Sequence, residues 1–165
     1  MQEIIRGKAE WAYVAGIIDG EGCIGMYKLK PRKSHRWTTP RYYLSVCVIN
    51  RSYPLMEWLK EIFGGKVSAR KKGKAHHNQA WRWLLSSSEI EVFLKGILPH
   101  LIVKRNQAEL ALRYIEENPD GRNGTGKPCP DWIVELREGY WRAFHELNER
   151  PLPPAETKRG DIPLG

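Results

Sequence analysis

The first periodic run lies over residues 8–20, where Trp11, Val14, Ala15 and Ile18 recur at helical spacing until Gly20 and Gly22 punctuate it. The period then changes to two. Residues 23–29 read as a strand and 41–49 as a second, clearer one. In the second, Leu44, Val46 and Val48 share one face while Arg41, Tyr43, Ser45 and Cys47 share the other. Residues 31–40 between them read as a long hairpin loop. Leu55, Trp58, Leu59, Ile62 and Phe63 then return to helical spacing, closed by Gly64-Gly65.

The same order recurs. Residues 66–72 and 79–86 predict two strands around a turn at Gly73, with Trp81, Trp83 and Leu85 alternating with Ala80, Arg82 and Leu84. Ser88 is placed to cap a helix bearing Ile90, Phe93, Leu94, Ile97 and Leu98, and Pro99 follows its end. A helix over 106–117 carries Ala108, Ala111, Leu112 and Ile115. After a loop over 118–130, a last helix over 131–149 carries Ile133, Leu136, Tyr140, Phe144 and Leu147. The order predicts an α+β fold: an αββαββα core whose two antiparallel hairpins form a four-stranded sheet, plus C-terminal helices. One domain is expected over 1–150, with 151–165 as a Pro-rich tail.

Composition changes this picture in one respect. A chain of 165 residues that is 41% hydrophobic can build a core, and its net charge of +8 is a weak hint on its own. Resolved along the chain, the charge is polarised. Residues 22–55 contain seven Lys and Arg and no acid, and residues 62–88 contain six and no acid. Those thirteen cations leave 14 against 19 acids elsewhere, a net −5. Both acid-free blocks fall on the hairpins. Helices can cover only one face of the sheet, so the other would present Arg41, Tyr43, Ser45, Arg70, Lys72 and Arg82 together, with Lys28, Lys30 and Arg32 on the first hairpin. Such a surface suits phosphates and base edges, which makes double-stranded DNA the expected partner.

Other classes recede. Cys23, Cys47 and Cys129 are an odd count without a C-x-x-C pair, which points to reduced thiols and away from a disulfide framework or zinc knuckle. No apolar run reaches membrane-spanning length and the first residues lack a signal-peptide pattern, so no membrane and an intracellular location are expected. Phosphate-loop, zinc-protease and serine-hydrolase motifs are missing, and no small-molecule cofactor is expected.

The chemistry concentrates in Val14-Ala-Gly-Ile-Ile-Asp-Gly-Glu-Gly22, between the first helix and first strand. Gly16 and Gly20, one turn apart, leave a notch where another helix could approach. Asp19 and Glu21 stand at the negative end of the helix dipole, each at a cost of about 0.3–1 kcal/mol, which invites a cation such as Mg²⁺ with its preference for oxygen ligands. This segment resembles the signature of the LAGLIDADG homing endonucleases, matching at Ala15, Gly16, Ile18, Asp19, Gly20 and Gly22, with Glu21 in place of the usual second aspartate.

The resemblance implies the αββαββα core with a saddle-like DNA-binding face and metal-dependent cleavage of both DNA strands. It makes Glu21 the ligand for Mg²⁺ or another divalent cation, with the Gly20 carbonyl as a second ligand. Lys104, within the segment from Pro99 to Ala108, becomes the charge-stabilising cation, and Asn50 the amide that orders active-site water. Pro54 departs from the pattern, since close relatives can carry a basic residue there. A single motif copy implies a homodimer through the motif helix, with Ala15, Gly16, Asp19 and Gly20 at the interface, reading a long, near-palindromic site. His76-His77 reads as a DNA-facing or inert pair in a basic turn. The alternative within the same resemblance is a non-cleaving RNA maturase that assists intron splicing; a retained Glu21 and Lys104 favour cleavage.

Overall fold

The computed structural model describes residues 7–34, 38–70, 78–118 and 129–149. Helix α1 (Lys8–Glu21) passes without a loop into strand β1 (Gly22–Leu29). Gly22 makes that junction possible: a Cβ there would lie 2.7 Å from Ile18 Cα. Its N–H donates to the carbonyls of Ile17 and Ile18, which closes the helix as the strand begins. Strand β2 (Arg41–Asn50) returns antiparallel to β1, with Gly22 opposite Val48 and Leu29 opposite Arg41.

Helix α2 (Tyr53–Phe63) starts at Ser52, whose Oγ accepts from the Leu55 N–H at 3.4 Å. It ends at Gly64 and Gly65, with φ of +82° and +80°, left-handed geometry that favours glycine. Strands β3 (Lys66–Ala69) and β4 (Trp81–Leu84) follow as an antiparallel pair. Because β4 also pairs with β2, the hairpins join along their second strands and the sheet order is β1-β2-β4-β3. The second hairpin is shorter than its sequence pattern suggests, at four residues per strand; residues 71–77 of its turn lie outside the described residues. Helix α3 (Ser87–Ile97), a 3-10 turn (Leu98–His100), α4 (Arg105–Glu117) and α5 (Asp131–Asn148) complete the described elements. The 151–165 tail lies outside them.

Period-two alternation sorts the sheet into two faces. Ile24, Val46, Val48 and Trp83 turn toward the helices and are fully buried with Val14, Ile18, Met56, Leu59, Leu94 and Ile97. Aromatic rings knit this core together: the Trp11 ring meets Phe63 at 5.1 Å and Phe93 at 6.1 Å in tilted contacts, and Phe93 meets Trp83 edge-on at 5.5 Å. The Trp83 indole N–H is satisfied by the Gly64 carbonyl at 2.8 Å. On the other face Tyr27, Leu29, Tyr43 and Ile49 are all exposed. No helix among the described residues is long and apolar enough to cross a membrane.

The start of α3 also differs from the sequence expectation. The cap of α3 is Ser86, not Ser88, because Glu89 stands three residues after Ser86 and completes a capping box. Glu89 Oε2 accepts from the Ser86 N–H at 2.9 Å and from Ser86 Oγ at 2.5 Å, while Oε1 accepts from the Gly65 N–H at 3.0 Å. Replacing Ser86 by Ala should therefore cost about 1 kcal/mol in a denaturant titration. The same change at Ser88 should stay within about 0.5 kcal/mol.

Candidate metal and nucleic-acid site

The end of α1 carries two carboxylates with opposite surroundings. Asp19 Oδ2 accepts from the Ile102 N–H at 2.8 Å and Oδ1 from the Lys104 N–H at 2.9 Å, where α4 begins. Partial burial works to raise its pKa, but these backbone donors, with the Lys104 charge, hold it below the ordinary carboxylate value. Lys104 answers in the other direction. Its Nζ donates to the carbonyls of Ile18 at 2.8 Å and Asp19 at 2.6 Å, placing a cation on the exposed carbonyl end of α1.

Glu21 is left outside this exchange. It is exposed, and among the described residues no Lys, Arg or His lies within salt-bridge distance of it. Asn50, at the end of β2, donates Nδ2 to Glu21 Oε2, and its own Oδ1 accepts from the Ser52 N–H at 2.7 Å. That second bond fixes which way the amide points, so one Glu21 oxygen is held and the other is open. Gly20 beside it is exposed, with nothing near the position of a Cβ.

The open sheet face adjoins this corner. Strand register and alternation set Arg41, Tyr43, Ser45, Cys47 and Ile49 of β2 on it, with Arg82 and Leu84 of β4, Lys66 and Ser68 of β3, and Arg70 just beyond. Arg70 is exposed, Tyr43 exposed, and Arg41 and Arg82 half-buried. Ser45 is buried, and among the described residues neither its Oγ nor the Arg82 Nε has a hydrogen-bond partner. Lys30 and Arg32 are exposed in the connection after β1. Lys72 and His76-His77 lie outside the described residues.

Two expected placements differ, those of Lys28 and Ala15, and Asp19 is engaged within its own chain. Lys28 falls on the helix-covered face, opposite Tyr42 in the register. Its Nζ donates to Glu138 Oε2 of α5 at 2.6 Å and lies 4.9 Å from the Trp141 ring. Tyr42 donates to the same carboxylate, and Lys28 and Tyr42 together hold Glu138 below the ordinary value. Ala15 is fully buried in the chain's own core and cannot meet a second helix. Asp19 faces the 102–104 turn of its own chain. The exposed stripe of α1 consists instead of Ala9, Ala12, Tyr13, Gly16 and Gly20, flanked by Ile102 and Val103 at 87% and 69% exposure. Helical spacing from Gly16 back to Ala12 and Ala9 was the signal for this stripe; nothing local in the sequence marked Ile102 or Val103.

A pair of thiols also meets on the open face. Cys23 and Cys47 are directly opposed across β1 and β2. The Cys23 thiol donates to Cys47, which pushes Cys23 up; accepting that bond, and the Arg82 guanidinium beside it, pull Cys47 down to about 6 against the effect of burial.

With this geometry in view, the chain's affiliation is direct. The family profile of the LAGLIDADG endonucleases matches residues 14–105, more than half of the chain, and the chain belongs to that family. Its fold is similar to that of the homing endonuclease I-CvuI, solved with its target in the presence of Ca²⁺ (TM-score 0.68, 19% identity, 89% of this chain and 87% of that one). It is also similar to the archaeal intron-encoded homing endonuclease I-Vdi141I complexed with DNA (TM-score 0.52, 16% identity, 80% and 96%). Against the meganuclease I-SmaMI, bound to uncleavable DNA, the TM-score is 0.52 at 26% identity, with 87% of this chain spanning 50% of that one. No curated protein matches the chain significantly.

The Asp19 arrangement has a pH signature. A carboxylate whose folded pKa is depressed contributes stability above its unfolded value, here 3.8, and that contribution is lost as pH falls through the folded pKa. Asp19→Asn should thus be less stable than the parent chain near neutral pH. The difference should shrink on acidification to about pH 2–3, read as denaturant midpoints at both pH values. An unchanged gap in acid would mean that the lost charge is not the cause.

Proposed function

We propose that this chain is a sequence-specific homing endonuclease that makes metal-dependent double-strand breaks at a long, near-palindromic DNA site as a homodimer. The observation that carries the reading is Glu21: an exposed carboxylate at the end of the motif helix, oriented by Asn50, without a cationic partner among the described residues, at the corner of an open basic sheet face. A carboxylate with one oxygen open, next to the Gly20 carbonyl, is a hard-oxygen donor set that fits Mg²⁺ or a similar divalent ion. A bound divalent cation there supplies Lewis acidity and an activated water.

The residues of the chain itself do the rest. Asn50 fixes the rotamer of Glu21. Lys104 uses two of its three N–H groups on the α1 carbonyls, leaving one for a phosphate oxygen as charge develops. Arg41, Tyr43, Arg70 and Arg82, with Lys30 and Arg32, provide cations and hydrogen-bond donors for backbone and bases, and Lys72 extends the basic run in sequence. Lys28 drops out of this set because it is committed to Glu138.

One protomer makes half a site. Among the described residues no three His, Cys, Asp or Glu side chains converge. A second copy packed through the Ala12, Gly16 and Gly20 stripe would bring another Glu21 to the twofold axis, with Ile102 and Val103 giving the contact apolar flanks. The relatives named above that were solved with DNA support the choice of partner.

Selection of cleaved sites from a randomised duplex library with Mg²⁺ tests activity, target and palindromy together. On the selected site, Glu21→Gln should bind as the parent does and cut roughly 100-fold more slowly or worse. Undiminished cutting would remove Glu21 from the mechanism. Light scattering should give a dimer for the parent chain and a monomer for Gly16→Leu, since a leucine fills the notch; a parent chain that stays monomeric on DNA would overturn the dimer.

A further inference from the structure

We propose that Cys23 and Cys47 form a redox-active dithiol, a modification site that closes to an intramolecular disulfide on exposure to a low-molecular-weight disulfide. The geometry rests on strand register. The two residues are Cα partners in the antiparallel β1–β2 ladder, so their side chains leave the same face of the sheet directly opposite each other. Opposed residues in such a ladder have Cα atoms about 4.5–5.5 Å apart, inside the roughly 4.4–6.8 Å range that disulfides span. Their Cβ atoms start about 4.5–5.5 Å apart and a disulfide needs about 3.5–4.5 Å, so closure draws the strands together by about 1 Å. A bond closed against that resistance is readily reversed by added thiol.

Access is asymmetric. Cys23 is exposed, whereas Cys47 is buried, at 4% exposure, with Arg82 beside it. The exposed sulfur is therefore the entry point. As its thiolate, Cys23 attacks one sulfur of the small disulfide, forming a mixed disulfide and expelling one small thiolate. Cys47, as its thiolate, then attacks the Cys23 sulfur and expels the second small thiolate; the two protons given up by the protein thiols pass through solvent to the two small thiolates. Two protein thiols and one small disulfide become one protein disulfide and two small thiols, a two-electron exchange that balances. The new bond would tie together the strand ends next to Glu21 and Asn50. No DNA, metal or second copy enters the chemistry.

Cys129 is the internal control. It lies before α5, away from the sheet, with Arg137 Nη1 donating to its sulfur at 3.7 Å. The full chain is incubated with oxidised glutathione, quenched in acid, and unfolded in an alkylating reagent for mass spectrometry. Alkylatable thiols should fall from three to one, with a Cys23–Cys47 cross-linked peptide and full recovery after dithiothreitol. Cys47→Ser should instead stop at a stable glutathione adduct on Cys23. Three alkylatable thiols after treatment of the parent chain, or a linkage that includes Cys129, would overturn the proposal.

Discussion

Two helix ends that neutralise each other organise the functional corner of this protein. The carbonyl end of α1 faces the amino end of α4, and each supplies what the other's dipole favours: Lys104 places its ammonium on the Ile18 and Asp19 carbonyls, and Asp19 places its carboxylate on the Ile102 and Lys104 amides. The exchange spans 85 positions of sequence and pins the motif helix to the second half of the fold. It also consumes one of the motif's two acids. Only Glu21 remains, the last residue of the helix, attached to Asn50 and otherwise facing outward. One carboxylate is satisfied within the chain, and its neighbour keeps an oxygen turned outward.

The sheet contributes the second asymmetry. Its helix-covered face gathers the apolar positions of four strands, and that burial is the dominant source of stability. The opposite face inherits the cations by alternation alone. Arg41 and Arg82 are held half-buried on it, near enough to the thiols for the Arg82 charge to act on both Cys23 and Cys47. Lys28 shows the rule operating against the apparent charge pattern. It belongs to the acid-free block, yet its parity directs it to the covered face, where Glu138 and the Trp141 ring receive it.

Much of this was readable from the chain. Trp11, Val14 and Ile18 marked α1, and Leu44, Val46 and Val48 marked the buried side of β2, because one helical or extended period suffices to show which side is apolar. The cap of α3 was misread because Ser88 and Ser86 are chemically alike and the decision rests with Glu89. At the site, Glu21, Asn50 and Lys104 were singled out, but their separation in sequence concealed how they divide their work: Asn50 holds the carboxylate, while Lys104 caps a helix. Ala15 was misassigned because a small residue at a glycine-rich stripe looks available for contact, although its phase on α1 turns it inward.

The sequence by itself determined the order of elements, the two acid-free hairpins, the family motif and the parity of each strand. These are local or periodic properties, written in neighbouring residues. The tertiary structure alone decided which acid is neutralised, which cation is withdrawn by a distant glutamate, and which two cysteines meet. Those outcomes depend on register and helix-end geometry between segments tens of residues apart. Asp19 and Glu21 differ by two positions and one methylene, and only the arrival of the 102–104 backbone beside the first makes the second the exposed one.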